Sequence, residues 1–480
     1  MKLPLLGYAP DADPQTPGVI ADCVSFISSQ RGMEAAPAPV ATPLAALAST
    51  CYGIATFRKL DSSSVTVAGT ATKIYLAGTA SWSDVSGTAY GASTNNRWSF
   101  CQYGDVTLAA NKADTIQART GANFANVSGS APKAAFIETV NQFIFAANVN
   151  DGADKPDGWA CSALGDYTNW TPSIATQAAN GRLTDTPGPI TGLRRLNDSI
   201  VIYKRKAIYV GSYVGPDIIW SFQQSSADVG ALNNNSIVFV DYAHYFMGEN
   251  DFYIFDGTRP IPFGQPVKET VYAEIDKSSL NLCMALADYR NSRIYFYYPS
   301  VSNSGYANKC VVYNYRTKRW GRDDQTVSAA GMYVSPGMTY GDVGTYYTTY
   351  ADLPNAPYGL AFSSSAVEQP AIVDNTNVVK TLTGTPGTTS FRLSDLGSDQ
   401  EYVTVTRVQP RFLKPAATAT LVNYYKTASG APYTEDQSVA MQNYRFDLLR
   451  SARWHSANLT FSGTVDVEEL DIQFERDGME

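Results

Sequence analysis

Groups able to do acid–base or metal chemistry are few in this chain. There are two histidines, His244 and His455, and six cysteines, Cys23, Cys51, Cys101, Cys161, Cys283 and Cys310. Neither histidine has a second His or Cys at ligand spacing, so no zinc-type site is expected. The cysteines lie 27 or more residues apart with no Cys-x-x-Cys. That spacing fits buried free thiols in a reducing cytosol rather than a disulfide framework. Gly-x-Ser-x-Gly, the phosphate-binding Gly-x-x-x-x-Gly-Lys and His-Glu-x-x-His are all missing. Asp11 with Asp13, and Asp151 with Asp154, lack the remaining oxygen ligands of a calcium loop. Neither a cofactor nor a metal is expected. Carboxylates are plentiful, so a pair able to hydrolyse sugars stays open.

Cations are the residues that cluster. Arg194 and Arg195 face Lys204, Arg205 and Lys206 across one turn, so both groups fall on neighbouring strands of a hairpin. Arg316, Lys318, Arg319 and Arg322 surround Trp320. Two readings fit: solvated turns or ion pairs to an adjacent subunit, or a ring of cations at one level of a channel, multiplied by oligomeric symmetry.

The elements that must carry these residues show a repeat. Trp82, Phe124, Trp170, Trp220, Phe263 and Trp320 are separated by 42, 46, 50, 43 and 57 residues. Each follows a pair of strand-like runs joined by a polar turn. Ala135–Ile137 turns at Asn141-Gln142 into Phe143–Phe145; Ile190–Leu196 turns at Asn197-Asp198 into Ile200–Tyr203; Met284–Ala287 turns at Asn291-Ser292 into Ile294–Tyr297. Weaker turns fall at Asp61-Ser62, Tyr103-Gly104-Asp105 and Ala243-His244. Asn, Asp, Gly and Ser suit hairpin turns because they tolerate left-handed backbone or bond their own main chain. A strand-built repeat of about 40–50 residues marks a β-propeller. The alternative is an ordinary β-sandwich with regular turns, which would not repeat the aromatic. Repeated Ser-x-Asp-x-Gly-x-x-Trp turns, expected of a sialidase-like propeller, are absent.

The expected fold is therefore all-β: a propeller of about six to eight blades with an extended N-terminal arm and a C-terminal strand-rich region. Residues 1–50 are rich in Pro, Ala and Ser and read as the arm, although the composition also fits a disordered tail. Val19–Ile27 reads as a strand that docks the arm on the first blades. Residues 51–330 carry the blades, and 331–390 read as a loop-rich insertion or irregular blade. Residues 391–480 read as strands that complete the ring or form a small sandwich. One short helix is expected around Pro43–Ala48. The opening residues lack the apolar core of a signal peptide, and no run approaches the length of a membrane helix. The formal net charge of −8, from 36 basic and 44 acidic residues, argues against a protein that wraps nucleic acid.

Four places resemble the tail nozzle (hub) proteins of short-tailed bacteriophages, also called packaged-DNA stabilisation proteins. They are the opening Leu3-Pro4-Leu5, the hairpin Ile190–Tyr203 with Ala207-Ile208-Tyr209, the hairpin end Phe252–Gly257, and Leu470–Phe474 after Arg453-Trp454. The resemblance covers most of the chain in order and length, and none of its motifs is catalytic. It implies a non-enzymatic virion tail protein, assembled in the bacterial cytoplasm as a homohexamer. Implied partners are the portal adaptor, tail fibres or tailspikes, and passing double-stranded DNA held without sequence specificity, with no membrane insertion by this chain alone. The ring would extend the DNA channel, retain packaged DNA and guide its ejection. Replacing Lys204, Arg205 and Lys206 by Gln is then expected to alter DNA retention without harming assembly. The alternatives are a receptor- or glycan-binding propeller, with Tyr340–Tyr350 as the sugar-stacking segment, and a polysaccharide-degrading propeller enzyme.

Overall fold

The computed structural model describes residues 1–334 and 368–479, with side chains described to residue 476. Among them, seven four-strand units stand around an axis. Their innermost strands are Gly53–Arg58, Ser99–Tyr103, Lys133–Val140, Ile190–Leu196, Ile237–Val240, Met284–Asp288 and Val327–Val334. Consecutive inner strands touch, and the seventh touches the first, so the ring closes. Six of these blades are separate four-stranded sheets; the sixth in order, built on Met284–Asp288, continues into a larger sheet.

Turn chemistry sets the inner hairpins. Ser62, Gly104, Asn141, Gln142, Asn197 and Ser292 all have positive φ at the expected turns, which matches the twist a two-stranded hairpin needs. In the fifth blade the turn is instead Asp241-Tyr242, with φ of 45° and 70°. His244 is not in a turn. It lies on the strand Ala243–Met247, fully buried.

The repeated aromatics sit on or beside the outer strands and fill the seams between blades. Phe124 packs with Ile74 and Trp98 between the first and second blades. Trp170 packs with Leu108 and Ile144 between the second and third, although it lies in a loop rather than on a strand. Trp220 meets Phe145 edge-on at 4.7 Å between the third and fourth. Phe263 stacks on Trp320 at 5.5 Å between the fifth and sixth. Trp82 packs against the core shared by the seventh and first blades, and its Nε1 donates to the Ala45 carbonyl at 2.9 Å. The six aromatics serve five of the seven seams, Phe263 and Trp320 sharing one; Tyr203 with Phe246, and Tyr295 with Tyr297, fill the other two, because each blade must bury one face on the next. At Gly87, a Cβ would lie 1.9 Å from the Phe124 carbonyl oxygen, so only glycine admits this approach of the first blade to the second.

Residues 1–50 do not form a free arm. Lys2–Pro4 pairs with Asp466–Met479, Val19–Val24 pairs with Thr388–Leu393, and Phe26–Ser28 joins the outer strand of the sixth blade at Arg322. Ala38–Ala41 becomes the outer strand of the seventh blade, beside Val379–Gly384. The ring is thus closed by strands far apart in sequence, which leaves no seam at the chain's start.

The C-terminal region forms a two-sheet sandwich with these N-terminal strands. One sheet runs from the sixth blade through Phe26–Ser28, Met33–Ala35, Asp466–Met479, Glu401–Lys414 and Phe446–Ala452. The other contains Gly7–Tyr8, Val19–Val24, Thr388–Leu393, Trp454–Ser462 and Thr418–Lys426. Phe26, Phe391 and Phe461 stack between them, with Phe26 and Phe391 at 4.9 Å. Thr418–Lys426 alternates exposed and buried positions, as a half-buried strand should.

Pro43–Ala48 is not helical. Leu44 and Leu47 are buried under the first and seventh blades, and the Leu47 amide donates to the Asn377 carbonyl. Among the described residues the α-helix is Lys268–Glu274. Its first turn is capped from afar: the Asp11 carboxylate accepts the Glu269 and Thr270 amides at 2.6 and 3.0 Å. No local pattern in the sequence announces a cap supplied from some 260 residues away. All six cysteines are buried and free.

Candidate functional site

The axis of the ring holds two cavities that meet at Arg97. The cavity nearer the inner hairpin turns measures about 520 Å³ and is lined by all seven inner strands. The second, about 400 Å³, opens on the opposite face. Arg97 belongs to both. It precedes the second blade and reaches across the axis, where its guanidinium donates to the Ser328 carbonyl of the seventh blade and lies 3.8 Å from Met284 Sδ of the sixth. A buried guanidinium therefore forms the waist. Burial disfavours its charged form and pulls its pKa down.

The wall of the first cavity is mostly small or apolar: Ala55, Phe57, Ala285, Ala330 and Met332 line it beside Glu138 and Arg194. Arg194 Nη1 stands 3.9 Å from Glu138 Oε2, and Nη2 donates to the Asn234 carbonyl at 2.9 Å. Burial raises the Glu138 carboxyl above its usual range, and the nearby Arg194 opposes that rise.

Among the described residues, Glu138 and Asp154 are the carboxylates that line the two cavities. Asp154 is bound by Lys112 at 2.6 Å. It pairs with Asn150, which stands opposite Lys133, while Glu138 lies five residues further along that strand. At about 3.3 Å per residue the two levels differ by about 16 Å. Glycoside hydrolysis needs carboxyl groups about 5–9.5 Å apart. Each acid here is also neutralised by its own cation, so the axis lacks a hydrolytic pair among the described residues.

The cations singled out from the sequence separate into three environments. Arg194 and Arg195 border the first cavity and Arg205 borders the second. Lys206 is exposed and stands 3.6 Å from Glu249. Lys204 is not a channel or surface cation: it is 1% exposed, and its ammonium donates to the Leu183 and Thr186 carbonyls at 2.7 and 2.6 Å. Both faces of the strand Ser199–Lys204 are covered, so Ile200–Lys204 are all buried, and the carbonyls of the crossing loop satisfy the Lys204 ammonium. The second cluster is remote from the axis, at the outer edge of the sixth blade. Arg316 and Lys318 are exposed in its turn, and Arg319 donates to the Arg31 carbonyl at 3.2 Å. Arg322 is no free cation either, being paired with Asp324 and Glu274 at 3.1 and 3.5 Å where the blade meets the sandwich. The two clusters do not form one ring within a protomer.

Sequence reasoning missed Arg97 altogether. It stands alone between Asn96 and Trp98, and nothing local marks a residue that crosses the axis. Both histidines are structural. His244 Nε2 donates to the Arg195 carbonyl at 2.9 Å and Nδ1 accepts from the Tyr203 hydroxyl at 2.7 Å. Burial holds its pKa down at about 4. His455 Nε2 donates to the Val403 carbonyl at 2.9 Å. Tyr340–Tyr350 lies outside the described residues.

The fold and axis define a closed seven-blade propeller joined to a two-sheet sandwich. No family model matches the chain, and no curated protein matches it. Solved structures similar to it include YCF48 bound to D1 peptide, at 10% identity and a TM-score of 0.37, covering 72% of this chain and 94% of that one. An exo-β-1,3-galactanase from Phanerochaete chrysosporium with galactose gives 9% identity and a TM-score of 0.28, covering 85% of this chain and all of the other. The extracellular domain of a one-component system from B. thetaiotaomicron gives 10% and 0.41, covering 89% of this chain and 58% of that one. Similarity at this level carries no argument about what the present chain binds or does.

Proposed function

We propose that the chain is a structural, non-enzymatic subunit of a short-tailed phage tail nozzle, forming a homohexameric ring that retains packaged DNA and guides its ejection. The observation that carries this reading is the state of the axis. Arg97 reaches across it, and its two carboxylates are paired and set about 16 Å apart. A propeller without a hydrolytic pair on its axis, with both chain ends woven into a sandwich continuous with one blade, suits a load-bearing scaffold. DNA would pass between protomers rather than through any one propeller, since a side-chain-filled cavity of about 520 Å³ cannot admit a duplex. Six copies at −8 each would carry −48 formal charges around that conduit, which favours sliding over binding.

Particles assembled without this chain should package DNA and then lose it, and added purified protein should restore retention. Particles that hold their DNA equally well without it contradict the proposal. Turnover of polysaccharide by the purified chain contradicts its non-enzymatic part.

A further inference from the structure

The outward-opening axial cavity has the character of a ligand site. Its inner end meets the first cavity at Arg97, which lines both. The Arg97 Nε is buried with no hydrogen-bond partner among the described residues. At the rim, the Arg205 guanidinium makes no hydrogen bond or ion pair among the described residues. On one side the mouth is fixed by an amide bridge, Asn281 Nδ2 donating to Asn95 Oδ1 at 2.8 Å, which ties loops of blades that are not neighbours in the ring. The side chains of Asn96 and Asn235 also line it. Phe136 and Pro156 supply apolar wall. Its one carboxylate among the described residues, Asp154, is held by Lys112.

We infer that this pocket binds a small acidic sugar, the carboxylate-bearing terminal residue of a glycan. Guanidinium groups match a carboxylate in charge and in planar geometry. Asparagine amides both donate and accept, as sugar hydroxyls require. The volume of about 400 Å³ suits a small molecule rather than a long chain. The inference rests on the pocket of one protomer and not on any ring it forms.

Calorimetric titration of the full chain tests it, with glucuronate, galacturonate and N-acetylneuraminate against glucose, galactose, acetate and a short peptide with a free C-terminal carboxylate. At least one acidic sugar should bind with a Kd of about 1 mM or tighter, and glucose, galactose and acetate should not. Arg205→Gln should weaken that binding about tenfold, and Asn235→Ala should weaken it less, both with unchanged circular dichroism. The absence of any acidic sugar binding with a Kd of about 1 mM or tighter overturns the assignment. So does binding undiminished in Arg205→Gln, or binding of the peptide without the sugars.

Discussion

At the scale of residues, the buried polar groups make the sharpest predictions. His244 is held neutral by burial, with a folded pKa of about 4 against an ordinary value of 6.5. Between those values the unfolded chain binds the extra proton, so this contribution to stability is present above pH 6.5 and is lost as pH falls toward 4. The full loss amounts to about 3 kcal/mol. Asp323 acts in the opposite sense, since burial raises its carboxyl to about 6; its share is present below 3.8 and is lost as pH rises through 6. Urea unfolding at pH 4.5 and 7 should therefore show a smaller acid loss in His244→Gln than in the parent, because the amide can serve both the Arg195 carbonyl and the Tyr203 hydroxyl without titrating. An unchanged difference would exclude His244 as a source. Lys204 carries a second prediction. Its ammonium satisfies two carbonyls from a buried position, so Lys204→Gln should cost about 1–3 kcal/mol. A change in DNA retention on mutating Lys204, Arg205 and Lys206 together would then mix folding with charge. Arg205→Gln with Lys206→Gln is the cleaner variant, and its unfolding midpoint should stay within experimental error of the parent.

At the scale of elements, closure by distant strands sets the stability of the molecule. Phe26 is fully buried and stacked on Phe391 and Phe461 where the arm enters the sandwich. Phe26→Ala should cost about 3–5 kcal/mol, read from the urea midpoint; a cost below 1 kcal/mol would mean the N-terminal strands add little to the fold. The blade hairpins were legible because two local signals coincide: turn residues that tolerate positive φ, and a seam-filling aromatic in each of the first six blades. The register failed at Ala243-His244, where the turn uses Asp241-Tyr242 and a buried imidazole resembles a polar turn residue in sequence. The N-terminal strands read as an arm because each is short and its partners lie hundreds of residues away, as with Lys2 opposite Asp471. The axial site was legible only in part. Arg194, Arg195 and Arg205 stand out as clustered cations, whereas Arg97 gains its place from loop geometry alone.

At the scale of the whole molecule, propeller and sandwich share one continuous sheet through Arg322 and Phe26. A force on one module is therefore transmitted through backbone hydrogen bonds to the other, as the proposed tail subunit would require. If the chain assembles into the proposed ring around a conduit, electron microscopy of the purified full chain, averaged without imposed symmetry, should show six-fold rings with an open central hole wide enough for a duplex. A population of single propellers with no ring, at concentrations well above those of particle assembly, would contradict it.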